Sequence, residues 1–206
     1  MYVRDLMSSP VITVTADTGA GHALQMMREK IIRRVPVVDD AGRLVGIVND
    51  RALVRLLSER RRHQTDPVPT VKMVMTSPVI TTSADQPLEG AANMLATHRV
   101  GALLVVDEEE RPIGIITDRD LYRILFELLG AGEAGLRVMM RSPATNEILA
   151  EVANAISIAG GVVRSFGSVT HQDETLIMLK VKYLSEQEVR DLLRDFTVEI
   201  DSITEG

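Results

Sequence analysis

The chain has 206 residues, of which 45% are hydrophobic, so we expect a folded, soluble protein with one or two domains or three small ones. Its net charge of −6 argues against a chain-wide attraction to nucleic acid or to an anionic membrane, because both need a positive surface. The absence of cysteine excludes disulfides, thiol catalysis and cysteine-ligated zinc. The sequence begins without a signal-peptide core, and its longest apolar run, Val100 to Val106, is too short to cross a bilayer. We therefore expect a cytoplasmic protein.

A sequence repeat with an offset of 68 positions covers the first part of the chain. Pro10 and Pro78 stand in matching Ser-Pro-Val-Ile-Thr segments. The same offset, without a gap, pairs Asp17 with Asp85, Met26 with Met94, Asp39 with Asp107, Gly46 with Gly114, and Asp50 with Asp118. An ungapped register of this length indicates a duplicated unit. We call the two copies repeat 1 and repeat 2.

Each repeat predicts the order β-α-β-β-α. In repeat 1 the predicted elements are an extended segment at Val11 to Val14, a helix at Ala20 to Glu29, strands at Val35 to Val38 and Leu44 to Val48, and a helix at Arg51 to Arg60. In repeat 2 they are Val79 to Thr82, Leu88 to Thr97, Ala102 to Val106, Ile113 to Ile116, and Leu121 to Leu129. One copy alone would leave a sheet face bare, so we expect the copies to pack about a pseudo-twofold axis with pockets in the clefts between them.

The junction of the last strand and last helix of repeat 2 carries candidate ligand groups. Thr117 offers a hydroxyl and Asp120 a carboxylate to a ribose, and backbone N–H groups there are free to face an attached phosphate. The alternative is a helix cap, since Thr with an acid three residues later is close to a capping box. Repeat 1 has Asn49 and Ala52 instead, and Ala52 can neither bind a diol nor cap a helix. We therefore expect one competent nucleotide site, in repeat 2, and a weak or empty one in repeat 1.

These motifs resemble a known regulatory module. The Ser-Pro-Val-Ile-Thr openings, the Val-Val-Asp turns and the closing Gly-Ile-Ile-Thr-Asp-Arg-Asp-Leu segment are similar to a tandem pair of CBS domains, the cystathionine β-synthase type. The resemblance covers roughly residues 1 to 130. It implies a compact pair with two clefts that bind adenosine-containing ligands such as AMP, ADP, ATP or S-adenosylmethionine.

The resemblance also implies which residues contact the ligand. The ribose diol would be held by Gly114, Thr117 and Asp120. The adenine would lie on main chain and aliphatic side chains at Val79, Ile80, His98, Arg99 and Val100.

A phosphate in this site would need a cation, because Asp118 and Asp120 would repel it at close range. Arg119 is the nearest candidate. Arg33 or Arg34, contributed across the cleft by repeat 1, would be a second, since a guanidinium suits phosphate oxygens. The alternative is that Arg33 and Arg34 form a solvated link between a helix and a strand.

A linker marked by Pro67 and Pro69 separates the repeats. It follows a basic run, Arg60-Arg61-Arg62-His63, which could contact nucleic acid. We favour a solvated helix end, because cations there complement the helix dipole and the chain is acidic overall. We place the domains at residues 1–66, 70–130 and 136–206.

The last third predicts the β-α-β-β-α-β order of a ferredoxin-like domain. After an expected flexible joint at residues 130–135, strands are predicted at Leu136 to Arg141, Val162 to Ser168, Thr175 to Lys182 and Val198 to Ile203, with helices at Ile148 to Ala159 and Ser185 to Asp195. The segment resembles an ACT domain, a module that in its family often binds amino acids and pairs edge to edge. The family's Asp-x-Pro-Gly turn reads Arg141-Ser142-Pro143-Ala144 here, without the Gly. We therefore favour dimerisation over an amino-acid pocket, because pairing would protect the open sheet edges.

Two CBS-like repeats followed by an ACT-like domain are the arrangement of AcuB-like, acetoin-utilisation type proteins. The four histidines lack metal-ligand spacing and no serine lies in a nucleophile elbow, so we predict no enzyme activity, no metal and no obligatory cofactor. The leading interpretation is a regulatory module that senses an adenosine ligand and signals through a homodimer to an unidentified partner protein. The alternatives are an amino-acid sensor acting through the ACT-like domain and a ligand-free dimerisation scaffold.

Overall fold

The computed structural model describes residues 1–63, 68–143 and 148–206, and the side chains of residues 60–63 lie outside this description. The predicted linker around Pro67 and the Ala144-Thr145-Asn146-Glu147 segment, which bears on the amino-acid pocket, fall outside the described residues, as do the side chains of the basic run. The chain divides into two compact units, an N-terminal unit of residues 1–121 and a C-terminal unit of residues 122–206.

The two repeats form the same set of elements. Repeat 1 contains β1 (Val14–Thr15), α1 (Ala20–Glu29), β2 (Arg34–Val38), β3 (Leu44–Asn49) and α2 (Asp50–His63). Repeat 2 contains β4 (Thr81–Thr82), α3 (Leu88–His98), β5 (Ala102–Val106), β6 (Pro112–Thr117) and α4 (Asp118–Leu128). A 3₁₀ turn precedes each set, at Val3–Asp5 and at Val71–Met73. The predicted β-α-β-β-α order is confirmed, although the first strands are shorter than predicted and α2 and α4 begin earlier, directly after the preceding strands.

Both repeats have the same sheet topology. The strand orders are β1-β2-β3 and β4-β5-β6, and in each sheet the first two strands are parallel and the last two are antiparallel.

The links between the antiparallel strands are fixed by an aspartate. Asp39 Oδ1 accepts the backbone N–H groups of Ala41 and Arg43 at 2.9 and 2.8 Å. These hydrogen bonds, the one to the Arg43 backbone foremost, lower the pKa of Asp39. Asp107 makes the matching bonds in repeat 2. The Val-Val-Asp motif therefore serves the turn.

The repeats exchange their N-terminal segments. Reciprocal backbone contacts, related by the offset of 68, connect Val3 with Gln86 and Val71 with Thr18, and Ser8 with Ile115 and Thr76 with Ile47. Val3 is buried in the core of repeat 2, and Val71 is buried in the core of repeat 1. The boundary predicted at residues 66 to 70 divides the sequence repeat, whereas the packing of these segments crosses it.

Two glycines make room for the exchanged segments. A β-carbon on Gly46 would lie 2.9 Å from Sδ of Met75, and one on Gly114 would overlap Sδ of Met7. Met7 and Met75 are 68 positions apart, as are the two glycines. Gly114, predicted from the resemblance as part of the ribose motif, thus has a packing role between the repeats.

The C-terminal unit forms one antiparallel sheet covered by two helices. Its elements are β7 (Leu136–Pro143), α5 (Ile148–Ile158), β8 (Val162–His171), β9 (Glu174–Lys182), α6 (Glu186–Leu193) and β10 (Glu199–Glu205). The strand order is β10-β7-β9-β8. The helices pack on one face of the sheet, where Val152, Ile156, Val189 and Leu193 join the buried residues of the central strands. Element order and topology are those of the predicted ferredoxin-like pattern.

The expected flexible joint is a turn fixed to this sheet. The carboxylate of Glu133 accepts hydrogen bonds from Arg164 of β8, at 3.0 Å from Nε and 3.3 Å from Nη2, and Lys182 Nζ of β9 lies 3.0 Å from it. These contacts, that with Arg164 foremost, lower the pKa of Glu133 to about 2. Gly130, with φ 66°, leaves space for the side chain of Ser165.

Candidate functional site

An apolar cavity of about 260 Å³ lies between the repeats. It is lined by Arg34, Ile47, Val48, Asn49, Thr76, Pro78, Val79, Ile80, Val100, Gly101 and Ala102. One wall therefore belongs to repeat 2, at residues 78–80 and the start of β5, and the other to the end of β3 in repeat 1. The segment exchange produces this arrangement: the N–H of Thr76 donates to the carbonyl of Ile47 at 2.8 Å and holds the proline segment beside β3. A cavity with such walls suits a flat aromatic ring.

A polar cavity of about 340 Å³ continues from the apolar one and shares Arg34 and Asn49 with it. Its other lining residues are Arg33, Asp50, Arg51 and Asp118. Arg34 stands where the two meet, since a β-carbon on Gly101 would lie 2.5 Å from Nη2 of Arg34 and 3.5 Å from Oδ2 of Asp118. We call the two cavities together the arginine cleft. Its residues can enclose an apolar ring at one end and hold an anionic group at the other.

The start of α2, which borders the cleft, uses its own hydrogen-bonding groups. Asn49 Oδ1 accepts the N–H of Ala52 at 2.8 Å, so Asn49 is the N-cap of the helix. The N–H of Asp50 donates to the carbonyl of Arg33 at 3.1 Å, and the N–H of Arg51 donates to Asp50 Oδ1 at 2.8 Å. Repeat 1 therefore has capping chemistry in spite of Ala52, and the contrast between the repeats does not argue against a cap in repeat 2.

The predicted ribose pair forms a closed arrangement at the start of α4. Asp120 Oδ2 accepts the backbone N–H of Thr117 at 2.9 Å and its hydroxyl at 2.7 Å. A carboxylate that reaches back to the N-cap amide is one half of a capping box. The N–H of Arg119 donates to Asp118 Oδ1 at 2.8 Å. We expected the backbone N–H groups here to face an anion, but this one already has an acceptor. The geometry includes the cap that the sequence left as an alternative, and the ribose role stays a prediction.

The structure separates the predicted site residues into two groups. Val79, Ile80 and Val100 line the apolar cavity, Arg34 lines both cavities, and Arg33 and Asp118 line the polar one. The residues outside both linings are Gly114, Thr117, Arg119, Asp120, His98 and Arg99. His98 and Arg99 are exposed at the end of α3, where Arg99 has φ 52°. The predicted adenine contacts and the predicted ribose pair therefore do not meet in the arginine cleft.

Apart from Arg33 and Arg34, sequence reasoning missed the part of the cleft that comes from repeat 1. Ile47, Val48, Asn49 and Arg51 line it, and none was predicted as a ligand contact. Apart from Arg33 and Arg34, the prediction took its ligand contacts from repeat 2, whereas the exchanged segments place the proline segment of repeat 2 beside β3 of repeat 1. The only available signal was the prediction that Arg33 or Arg34 crosses the cleft.

Within the described ranges, no group of three or more His, Asp or Glu side chains is placed to hold a metal ion. None of the helices in the same ranges is long and apolar enough to span a membrane.

The family model of the CBS domain matches residues 3–59 and 71–127. An L-aspartate semialdehyde sulfurtransferase of Methanocaldococcus jannaschii is 29% identical over 122 residues, which are 59% of this chain and 23% of that protein. A CBS domain-containing protein of Dictyostelium discoideum is 33% identical over 137 residues, 63% of this chain and 94% of that protein. This chain thus spans less than a quarter of the length of the sulfurtransferase.

Three of the solved structures with a similar fold are the following. The CBS domain pair of protein MJ0100, in complex with 5′-methylthioadenosine and S-adenosyl-L-methionine, has a TM-score of 0.55 at 28% identity and covers 62% of this chain and 97% of its own. An acetoin utilization protein, AcuB, from Vibrio cholerae has a TM-score of 0.55 at 29% identity, with 65% and 97% covered. CBSX2 in complex with AMP has a TM-score of 0.52 at 31% identity, with 61% and 96% covered.

Proposed function

This chain belongs to the CBS domain family, and from that premise we propose that its repeats form a regulatory module that binds an adenosine-containing ligand. One observation carries the proposal: the apolar cavity walled by Val79, Ile80 and Val100 opens at Arg34 into a polar cavity, which matches a base joined to a polar sugar and its substituent. The ligands named for MJ0100 and CBSX2 share the adenosine group, which supports the same class here.

Calorimetric titration tests this function. AMP, ATP, S-adenosylmethionine and methylthioadenosine are titrated into the full chain and into Val79→Trp, whose larger side chain would occupy the apolar cavity. We expect at least one compound to bind with a micromolar dissociation constant and to lose binding in the variant. Val169→Trp, at an exposed valine of β8 that lines neither cavity, is the control. If all four compounds fail to bind at millimolar concentration, the chain is a ligand-free scaffold.

We keep the predicted ribose role of Thr117 and Asp120 as a proposal for a second cleft, which the expected pseudo-twofold axis would relate to the arginine cleft and which we call the opposite cleft. The offset of 68 matches Val79, Ile80 and Val100 with Val11, Ile12 and Ile32, which would form its apolar wall. The two clefts then differ: the opposite cleft has Asp120 at the ribose position, whereas the arginine cleft, which we propose as an adenosine site although the sequence predicted it to be weak or empty, has Ala52 there. Asp120→Ala should remove binding at the opposite cleft only. Calorimetry that returns two equal sites per chain would contradict the asymmetry.

A regulatory rather than catalytic role fits the comparisons. The relatives with enzyme names are proteins of which this chain spans about a quarter, so their reactions do not transfer to it. We propose that this chain changes the activity of a partner protein when the ligand binds. A link to acetoin metabolism rests on the similarity to AcuB alone.

We propose that the chain is a homodimer joined through its C-terminal unit, whose sheet order is compatible with an ACT-like domain. The outer face of α4, the last helix of repeat 2, is apolar where it enters this unit: Tyr122, Leu125, Phe126, Leu128 and Leu129 are between 37% and 67% exposed. The matched positions of α2 include Ser58, Arg60 and Arg61 in place of Phe126, Leu128 and Leu129. The apolar face is therefore not a requirement of the repeat, and a second copy would cover it.

The charges beside this face fit a second copy of the same helix. Arg123 and Glu127 follow each other at one helical turn along one flank of α4. In an antiparallel pair related by a twofold axis, Arg123 of one copy would face Glu127 of the other, and the reverse. The same surface is thus complementary to itself.

A further inference from the structure

Three arginines and two aspartates line the polar end of the arginine cleft. They are Arg33, Arg34, Arg51, Asp50 and Asp118. Each aspartate already accepts, through Oδ1, the N–H of the residue that follows it, at 2.8 Å in both cases. The guanidinium groups therefore exceed the carboxylates in number, and part of the acceptor capacity of the carboxylates is used by the helix starts.

Backbone groups at the start of α2 cannot take the place of these side chains. The N–H groups of Asp50, Arg51 and Ala52 donate to Arg33, Asp50 and Asn49, respectively. An anion at this end would be bound by the arginines instead of by helix amides, so its affinity depends on the identity of those side chains.

Arg34 holds the decisive position. It lines both cavities and its guanidinium lies against Gly101, at the boundary between the apolar and the polar cavity. A group attached to the sugar of a nucleoside whose base fills the apolar cavity would emerge beside Arg34. A phosphate there gains a charge-assisted, bidentate hydrogen bond, whereas S-adenosylmethionine has a sulfonium at the same point of the ligand, which meets like charge.

We propose that the arginine cleft selects adenosine ligands that carry phosphate, AMP, ADP or ATP, over S-adenosylmethionine and methylthioadenosine, and that Arg34 determines this choice. The inference rests on the proposed function, because it needs the base in the apolar cavity. It departs from the ligands of MJ0100, which carry sulfur in place of phosphate.

Calorimetry on the full chain tests the selectivity with adenosine, AMP, ATP, S-adenosylmethionine and methylthioadenosine. In the wild type we expect AMP or ATP to bind at least about tenfold more tightly than adenosine or either sulfur compound. Arg34→Gln should weaken the binding of AMP and ATP more than that of adenosine and so remove this advantage. Arg34→Lys keeps the positive charge but lacks the planar guanidinium that forms two hydrogen bonds, so this variant should retain part of the advantage of AMP and ATP. Arg28→Gln, an exposed arginine of α1, is the control, and a thermal melt of each variant verifies folding.

The outcomes separate the inference from the function on which it rests. Binding of S-adenosylmethionine or methylthioadenosine as tight as that of AMP overturns the selectivity and leaves the adenosine function standing. Equal weakening of adenosine and AMP in Arg34→Gln overturns the role of Arg34 in phosphate recognition. Absence of binding by every compound overturns the adenosine function itself.

Discussion

Asn49 has two roles at one position. Its side chain caps α2 by accepting the N–H of Ala52, and the same residue lines both cavities of the arginine cleft. Asn49 of β3 pairs with Arg34 of β2, so the capping residue and the arginine lie side by side on neighbouring strands. A residue change here can therefore affect stability and ligand affinity independently.

Two substitutions separate these roles. Asn49→Ala removes the cap and should lower the free energy of unfolding by about 1 kcal/mol. Asn49→Asp retains the cap but adds a negative charge beside Arg34, so the melting temperature should stay close to that of the wild type while affinity for ATP falls. Thermal melts and calorimetry of both variants provide the measurements. An unchanged ATP affinity in Asn49→Asp would place the nucleotide outside the arginine cleft.

Single residues also explain why the site was only partly predictable. The hydrogen-bonding and charged groups of Thr117, Asp120 and Arg34 can be recognised in the sequence, and so can the apolar residues Val79 and Val100. Which of these residues lie together cannot be predicted, because it depends on the pairing of Thr76 with Ile47 across the repeats. A capping box and a ribose site require the same residue types at the same spacing, so sequence cannot separate them.

At the scale of elements, the exchanged segments depend on a close fit between a glycine and a methionine. Gly114→Ala should lower the free energy of unfolding by about 1 to 3 kcal/mol, because the added methyl group would overlap the side chain of Met7, three atoms of which lie within 4 Å of it. Chemical denaturation measures the loss. Adding Met7→Ala should recover part of it, as expected for residues in contact. Gly21→Ala in α1, where no atom of the described residues lies within 4 Å of the added carbon, is the control and should be neutral or stabilising. Equal effects at Gly114 and Gly21 would refute the fit.

The turn after α4 has a pH-dependent attachment to β8 and β9. The pKa of Glu133 is about 2, below its ordinary value of 4.5, so folding favours the ionised form. Its stabilisation is complete above pH 4.5 and is lost as the pH falls towards 2. Glu133→Gln should therefore lower the melting temperature at neutral pH, and its difference from the wild type should shrink in acid. Glu109→Gln in an exposed turn is the control. A difference that does not vary with pH would assign the loss to packing.

The types and the order of the elements were predictable because the spacing of apolar residues along the chain indicates helices and strands. The apolar spacing of α1 and the run Ala102 to Val106 of β5 gave bounds that the structure reproduces. The joint at residues 130–135 was misjudged, since its glycines indicate flexibility by composition while Glu133 fixes it through partners more than 30 residues later. Long-range charge pairs leave no periodic signal in a sequence.

At the scale of the whole molecule, the proposed homodimer depends on the outer face of α4. Phe126→Ser with Leu128→Arg, the residues of α2 at the matched positions, should convert a dimer into a monomer, because the apolar face would be lost to the second copy. Light scattering after size-exclusion chromatography measures the mass. Ile158→Arg, also strongly exposed but on α5, is the control. A dimer that persists in the double variant would place the contact elsewhere, for example at the edge strand β8.

The most direct test of the account is a crystal structure of the full chain grown with AMP. We predict the adenine between Val79, Ile80 and Val100 and the phosphate within hydrogen-bonding distance of Arg34. Adenine bound at the start of α4 near Thr117 and Asp120, with the arginine cleft empty, would contradict the account of this cleft.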